Sequence, residues 1–256
     1  MKREKLTGLA AFALAAAICA SMMQSALAES PRLRGVVELF TSQGCRSCPP
    51  ADEILGELAA KGDVVALAYH VDYWDYLGWK DTLGSPDNTK RQRDYGRTFG
   101  IRSVYTPQAV INGQVHVNGA KRNAVTGALD ALAKSGKGMS VELKAEQVGE
   151  SIVIETGAGP TYSKAHLVLV FFEDAKPVQI ERGENTGSTV MYWNAVTGVQ
   201  TAGMWKGKPA RFELPMSAIT DKGGCAALLQ SVSKDGLPGP ILGATILRSP
   251  ETAWNK

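Results

Sequence analysis

Two cysteines separated by two residues lie between a predicted strand and a predicted helix. The apolar run 36–40 precedes Cys45 and Cys48, and a helical pattern over 52–60 follows them. This order is typical of a thiol–disulfide redox centre, and a three-residue step brings both sulfurs to one side of a helical turn. Zinc is the alternative, but it needs a second such pair or a further Cys or His partner in a motif, which the sequence does not offer.

The order also predicts which cysteine reacts first. Cys45 is expected at or just before a helix N-terminus, where free N–H groups and the helix dipole favour a negative charge. Arg46 adds a positive charge beside it. We therefore expect Cys45 to be the nucleophile and Cys48, one turn along, to be the buried resolving thiol.

The start of the chain is typical of a secretory signal. Basic residues precede the uncharged apolar stretch 9–20, and a small-x-small cleavage site ends at Ala28. The stretch is short for a membrane span, which takes about 20 residues. We expect cleavage before Glu29, a periplasmic or secreted protein, and no membrane association after cleavage.

The remaining cysteines fit one pair and one leftover thiol. Cys19 would leave with the signal, so Cys45, Cys48 and Cys225 remain. Cys225 begins an apolar run, and we interpret it as a small buried core residue. A role as a third redox thiol is the alternative.

The charge of the chain argues against nucleic acid as a partner. The formal net charge is +3, and part of it belongs to the predicted signal. Phosphate binding needs clustered Lys and Arg, which are not evident here. The partners we expect are thiols or disulfides of proteins or small molecules, with no cofactor and no metal. The oligomeric state stays open.

Strand and helix signals alternate between residues 33 and 135. The apolar run 64–69 predicts a strand buried on both faces, and Ser85-Pro86 starts a helix that runs to about Phe99. Asn112-Gly113 predicts the turn of a hairpin, and a last helix ends near Gly136. The predicted order is β-α-β-α-β-β-α.

After residue 138 the pattern changes to short strands separated by Gly, Pro, Asn and Asp. The candidates are 141–145, 152–154, 166–172, 178–180, 190–193, 210–214, 225–232 and 241–247. Such a series without helical periodicity is typical of a β-sandwich. We predict a signal over 1–28, an α/β domain over 29–138 and an all-β sandwich-like domain over 139–256.

The first of these domains resembles thioredoxin. The segment from Phe99 to Pro107 is similar to the thioredoxin segment that leads to its cis-proline, and the element order is the thioredoxin layout. The resemblance covers about residues 33–135. It implies a thioredoxin-like fold, a cis peptide between Thr106 and Pro107, and a position for Pro107 facing the cysteines. An ordinary trans proline is the alternative.

More narrowly, the chain is similar to a bacterial family of secreted thioredoxin-like proteins of unassigned function. The matching segments occur in both halves, and they are 38–45, 48–52, 70–75 and 182–185. This resemblance implies a fold and says little of function. Residues 182–187 fit a structural turn, or a loop that binds a partner or braces the redox site.

Glu38 is the candidate proton acceptor. Thioredoxins keep a buried acid on the strand before the motif, and the resemblance implies that Glu38 takes the proton of Cys48. A carboxylate in an otherwise apolar strand needs such a reason, because burial raises its pKa. A solvated Glu at an edge is the alternative.

The segment 70–81 is crowded with aromatic and acidic side chains. It follows the second strand of the parallel pair, at the edge where α/β proteins form ligand sites. In one interpretation Trp74 and Trp79, with Thr106, wall a substrate pocket, and His70 or Asp72 tunes the thiolate. In the other, the rings pack the two domains together and the acids are solvated or paired.

These features favour an exported thiol–disulfide oxidoreductase, although they do not establish an enzyme. One alternative is a thioredoxin-fold binding module whose disulfide is only structural. The other is a periplasmic metal carrier that uses Cys45, Cys48 and His70.

Overall fold

The computed structural model describes residues 33–160, 164–219 and 223–248. The predicted signal over 1–28, with Cys19, lies outside these residues. The described chain from Leu33 onward belongs to one compact unit. No helix within it is long and apolar enough to cross a bilayer.

The first part of the chain follows the predicted β-α-β-α-β-β-α order. Its elements are β1 (Gly35–Thr41), α1 (Pro49–Lys61), β2 (Val64–His70), α2 (Pro86–Thr98), β3 (Gln108–Ile111), β4 (Val115–Asn118) and α3 (Arg122–Lys134). Ser85 caps α2 by accepting a hydrogen bond from Asp87 N. Asn112 and Gly113 both have positive φ at the turn between β3 and β4, as an Asn-Gly hairpin turn requires.

The described second part consists of strands and one short 3₁₀ helix, Met216–Ala218. Its strands are β5 (Leu143–Val148), β6 (Ser151–Thr156), β7 (Ala165–Glu173), β8 (Lys176–Gln179), β9 (Thr189–Tyr192), β10 (Ala195–Trp205), β11 (Ala210–Pro215), β12 (Gly224–Val232) and β13 (Pro238–Arg248). The sequence analysis missed β10, which has two glycines and an irregular pattern in which apolar and polar residues do not alternate. Strand signals of this kind are weak because they lack both a regular alternation and a continuous apolar run.

The missed strand joins the two parts of the chain. One eight-stranded sheet has the order β13-β12-β7-β10-β2-β1-β3-β4. β10 pairs with β7 along its length and meets β2 in parallel at Ala195 and Ala68. Strands from both sides of the predicted boundary at residue 138 therefore belong to one sheet, and the fold is of the mixed α/β class.

The two faces of the large sheet are covered differently. On one face, α2 packs on a continuous apolar cluster that includes Phe40, Leu67, Val170 and Leu228. On the other, α1 and α3 cover β1, β2 and β3. Beside them, the three-stranded sheet β11-β6-β5 packs on β7 and β12. The second part thus has the expected face-to-face packing of two sheets, but one of those sheets continues into the first part.

Candidate functional site

Cys45 and Cys48 form a disulfide between β1 and α1, with their Cα atoms 5.4 Å apart. The backbone turns twice here, because Cys45 N donates to Ser42 O and Cys48 N donates to Cys45 O, each at 3.1 Å. Helix α1 begins directly after Cys48, whose carbonyl accepts a hydrogen bond from Asp52 N. The structure thus places the pair at a strand-to-helix junction.

Both cysteines are covered. Cys45 is 1% exposed and Cys48 is 0% exposed, whereas Arg46 and Ser47 between them are exposed. Thiol–disulfide exchange requires an attacking thiolate to reach one of the sulfurs. Cys45, predicted to be the reactive cysteine, is therefore closed to a partner in this conformation.

A hairpin from the second part of the chain packs on the cysteine loop and contributes to this burial. Strands β8 and β9 pair with each other, apart from the large sheet, and the segment 180–188 connects them. Asn185 is the only buried residue between Ile180 and Val190. Its Nδ2 donates to Gln43 O at 2.8 Å and to Cys45 O at 3.0 Å. Of the two interpretations of this loop, the contacts favour bracing of the cysteines.

The aromatic segment after β2 holds the cysteine loop through Gln43. Gln43 N donates to Asp81 Oδ2 at 2.7 Å, and its side-chain nitrogen donates to Thr82 Oγ1 at 2.9 Å. Trp79 Nε1 donates to Gln43 Oε1 at 2.8 Å. Gln43 was not among the predicted site residues, although it positions the loop two residues before Cys45.

Trp74 connects the cysteine loop to the segment before β3. Its Nε1 donates to Thr106 Oγ1 at 2.8 Å. A Cβ atom at Gly44 would lie 3.0 Å from Trp74 Cβ, so glycine permits this close approach. The peptide between Thr106 and Pro107 is cis, which confirms that prediction. Trp74 and Thr106 are both half-buried beside the loop.

A buried polar cluster lies on the face of the sheet that α1 covers. His70 ends β2 and faces Thr41 in register across the strand pair. His70 Nδ1 lies 2.9 Å from Asp81 Oδ2 and donates to it. Asp52, one helical turn after Cys48, is 2% exposed, and His70 is 0% exposed. Tyr192 closes the cluster with its ring edge-on to His70, at 4.6 Å between centroids.

Several polar atoms of this cluster make no hydrogen bond of ordinary distance and angle within the described chain. They are both carboxylate oxygens of Asp52, Nε2 of His70 and the hydroxyl of Thr41. Buried polar atoms are ordinarily paired, and an exception points to bound water or to a chemical role.

Burial raises the pKa of Asp52 to about 7, against the opposing effects of His70 and the neighbouring Thr41 hydroxyl. Burial also raises the pKa of Asp81, but His70 and the backbone N–H groups of Gln43 and Leu83 outweigh it. The pKa of Asp81 therefore lies below its usual value. An acid that exchanges its proton near neutral pH suits general acid–base chemistry.

Sequence reasoning missed Asp52. An acid in the first turn of a helix is ordinarily solvated and is favoured there by the helix dipole. The available signal was its position four residues after Cys48 and three before Leu55, on the buried stripe of α1.

Glu38 lies on the opposite face of the sheet, which corrects its predicted role. Val37 and Leu39 face α1, so Glu38 between them faces α2. Arg91 Nε donates to Glu38 Oε1 at 2.8 Å, and the Tyr95 hydroxyl donates to Oε2. A carboxylate held in this way across the sheet from α1 is not placed to take the proton of Cys48.

Gln230 of β12 completes the Glu38 cluster. Its Nε2 donates to the Tyr95 hydroxyl at 2.7 Å, and Arg91 NH2 donates to its Oε1 at 3.0 Å. Coulombic attraction to Glu38 holds the pKa of Arg91 well above its usual value, despite the lowering effect of burial. This cluster ties α2 and β1 to the second part of the chain.

His70 and Asp72 do not line an open pocket. Asp72 Oδ1 accepts a hydrogen bond from Thr89 Oγ1 at 2.6 Å, which holds it against α2. His70 is enclosed, as described above. Of the predicted substrate-binding residues, Thr106, Trp74 and Trp79 lie at the cysteine loop. His70 lies in the buried cluster with Asp81, and Asp72 lies against α2.

Residues 36–230 match a family described as "Protein of unknown function (DUF1223)". The chain belongs to this family. It is similar to a protein from Agrobacterium tumefaciens whose X-ray crystal structure is known, with 47% sequence identity and a TM-score of 0.79. The match covers 86% of this chain and 96% of that one. None of the curated proteins compared with the chain matches it.

Two further predictions can be placed in the structure of this family member. Cys225 is a free, buried cysteine in the apolar core between the two packed sheets, and burial raises the pKa of its thiol to about 12. A group of three or more His, Cys, Asp or Glu side chains able to hold a metal is not found in the described part of the chain.

Proposed function

We propose that this protein is an exported, thioredoxin-like thiol–disulfide oxidoreductase that works through the Cys45–Cys48 pair. The observation that carries the proposal is the placement of the disulfide one helical turn from Asp52, a buried acid whose carboxylate makes no hydrogen bond of ordinary geometry in the described chain, although the Thr41 hydroxyl and His70 lie near it. The strand-to-helix position of the disulfide and the neighbouring Thr106-Pro107 segment support a thioredoxin-like arrangement.

In the proposed reaction, the thiolate of a substrate attacks Cys45 Sγ. The Cys45–Cys48 bond breaks, Cys48 leaves as a thiolate, and a mixed disulfide forms between Cys45 and the substrate. A second substrate thiolate then attacks the substrate sulfur, and Cys45 leaves. The substrate is oxidised to a disulfide and the pair is reduced to two thiols. The same steps in reverse reduce a substrate disulfide.

We assign to Asp52 the proton-transfer role that the sequence analysis gave to Glu38. When protonated, it gives its proton to the Cys48 thiolate that leaves. When ionised, it accepts the proton from the Cys48 thiol that attacks. His70, held by Asp81, supplies a nearby polar group that favours the ionised form of Asp52. The proposed site of action is the periplasm or the extracellular space, where disulfides persist.

Trapping of a mixed disulfide tests this proposal. The mature protein with Cys48→Ser and Cys225→Ser is incubated with a peptide disulfide, and the adduct is read by mass spectrometry. We expect one peptide on Cys45. The matched variant with Cys45→Ser and Cys225→Ser retains only Cys48, which we expect to be trapped far more slowly. Equal trapping at both positions, or at neither, would contradict the proposed roles.

The burial of both cysteines favours a second candidate, a binding module with a structural disulfide. Cys45 and Cys48 are 1% and 0% exposed, and enclosed disulfides resist exchange because a thiolate cannot reach them. In this case the pair stays oxidised in a mild dithiol buffer that reduces exchange catalysts, and substrate peptides form no adduct.

A further inference from the structure

Segment 180–188 packs on the cysteine loop with most of its side chains exposed. The chain is anchored on both sides of this exposed stretch, because Ile180 at its start and Tyr192 at the end of β9 are both buried. Between Ile180 and Val190 only Asn185 is buried, at 8% exposure. The charged residues Glu181, Arg182 and Glu184 are exposed. Asn185 is therefore the one buried side chain at the centre of the segment, and Gly183 beside it packs closely against Trp79.

Asn185 is held by the cysteine loop itself. Its single amide nitrogen donates to Gln43 O at 2.8 Å and to Cys45 O at 3.0 Å. These acceptors are backbone carbonyls two residues apart, and they face the cover rather than a strand of the large sheet. The backbone N–H groups of an extended polypeptide could donate to the same two carbonyls once Asn185 is withdrawn.

The segment also carries the backbone features of a hinged cover. Gly183 and Gly187 flank Asn185, with φ of 80° and 82°. Residues without a Cβ adopt such angles and leave them at little cost, which suits positions that absorb a change in backbone direction. Two backbone hydrogen bonds join the ends of the segment. Ile180 N donates to Ser188 O at 2.9 Å, and Gly187 N donates to Ile180 O at 2.8 Å.

We propose that segment 180–188 covers the docking surface of the Cys45–Cys48 site, and that an extended, cysteine-containing polypeptide docks there by replacing the Asn185 amide. In the closed state, Asn185 occupies the carbonyls of Gln43 and Cys45 and shields the disulfide. In the open state, these carbonyls accept from the substrate backbone, and its cysteine reaches Cys45. This inference rests on the proposed redox function and adds to it the substrate class and the means of access.

The test compares the rate of disulfide reduction in variants of the segment. Asn185→Asp removes both donors and sets a carboxylate against two carbonyls, and Asn185→Ala removes the donors alone. Glu184→Gln is the matched control, because its side chain is exposed on the same segment. The probe is a phosphine reductant, tris(2-carboxyethyl)phosphine, with the two thiols counted over time and the reduction potential measured separately.

We expect both Asn185 variants to be reduced faster than the wild type by roughly tenfold or more, as the loss of such buried hydrogen bonds implies. Asn185→Asp is the faster of the two, and Glu184→Gln matches the wild type. Equal rates in all four proteins would contradict the proposal that segment 180–188 shields the disulfide. A second outcome separates the two proposals. If the Asn185 variants are reduced faster but the reduction potential of the wild-type pair is that of a structural disulfide, segment 180–188 shields the disulfide and the redox function is wrong.

A second measurement does not depend on the Asn185 variants. Hydrogen exchange of the peptide spanning 180–188 is compared in the oxidised protein and in a Cys48→Ser protein trapped with a cysteine peptide. Cys48→Ser without the peptide is the control for the missing disulfide. We expect faster exchange over 180–188 only when the peptide is attached. Unchanged exchange in the adduct would show that a substrate binds without opening the segment, and would overturn the proposal.

Discussion

The large sheet buries one acid cluster on each of its faces, and the two clusters differ in how their charges are paired. On the α2 face, Glu38 accepts hydrogen bonds from Arg91 and Tyr95, and Gln230 joins both donors to the second part of the chain. On the α1 face, Asp52 makes no hydrogen bond of ordinary geometry within the described residues, and the nearby Thr41 hydroxyl and His70 only partly oppose the effect of burial on its pKa.

The difference separates a structural role from a chemical one. A buried ion pair with satisfied hydrogen bonds fixes geometry, and removal of one partner leaves a costly unpaired charge. An unpaired buried acid instead destabilises its ionised form, which moves its pKa toward neutrality and makes its proton available. The Glu38 cluster therefore joins the two parts of the chain, and the Asp52 cluster can serve the disulfide beside it.

The largest expected effect comes from breaking the paired cluster. Arg91→Met leaves Glu38 ionised and buried without its cation, so we expect a loss of about 3–5 kcal/mol in the free energy of unfolding. Urea denaturation measures it. Arg93→Met is the control, because Arg93 is exposed on the same helix. A loss below that of the control would show that the Glu38 cluster does not join the two parts of the chain.

The second effect depends on pH and concerns the unpaired acid. The pKa of Asp52 is raised from 3.8 to about 7 in the folded protein, so the folded state binds its proton more tightly than the unfolded state. Asp52 therefore lowers the free energy of unfolding as pH rises from about 4 to 7, by at most about 4 kcal/mol. Above this window the loss is complete.

Asp52→Asn removes this dependence. We expect the variant to gain stability relative to the oxidised wild type as pH rises from about 4 to 7, with no further gain above that range. Denaturation across this range measures the difference, and Glu53→Gln, at an exposed neighbour on α1, is the control. A difference that stays constant with pH would mean that Asp52 does not titrate as an unpaired buried acid.

A smaller effect tests whether the Glu38 cluster contributes to stability without affecting thiol–disulfide exchange at Cys45–Cys48. Gln230→Leu removes the hydrogen bonds that Gln230 makes to Tyr95 and Arg91, and we expect a loss of about 1–3 kcal/mol in stability. The rate of thiol–disulfide exchange should stay at the wild-type value when both proteins are folded. A slower exchange rate would place the α2 face in the chemistry and remove the contrast between the two clusters.

The smallest effect lies at the edge of the site. Trp74→Phe keeps the ring and removes the hydrogen bond to Thr106, so we expect a loss of about 0.5–1.5 kcal/mol in stability. Because Trp74 also contacts Gly44, we expect a change in the rate of trapping on Cys45. Trp79→Phe, which loses the hydrogen bond to Gln43 instead, is the comparison. Unchanged trapping in both variants would mean that these rings only pack the loop.

Local patterns predicted the elements that carry the cysteines. The strand-to-helix junction, the Ser85 start of α2 and the Asn-Gly turn were each expected from neighbouring residues, whereas the cis peptide at Pro107 was implied by the resemblance to thioredoxin. Such features depend on short-range steric and hydrogen-bonding preferences, which a single sequence contains.

Features that depend on distant pairing were missed. β10 joins the sheet through contacts with β7 and β2, and its own residues carry a weak strand pattern. The face on which Glu38 lies follows from the register of β1 against its neighbours, where one residue changes the side. Asn185 lies about 140 residues after the carbonyls it binds, and no local pattern reports such a contact.

The reduction potential of the Cys45–Cys48 pair tests the proposed redox function most directly. It is measured on the mature protein by glutathione titration with thiol counting. We predict a value between about −270 and −120 mV, the range of known exchange catalysts. A value below about −300 mV is that of a structural disulfide and would contradict the proposed redox function.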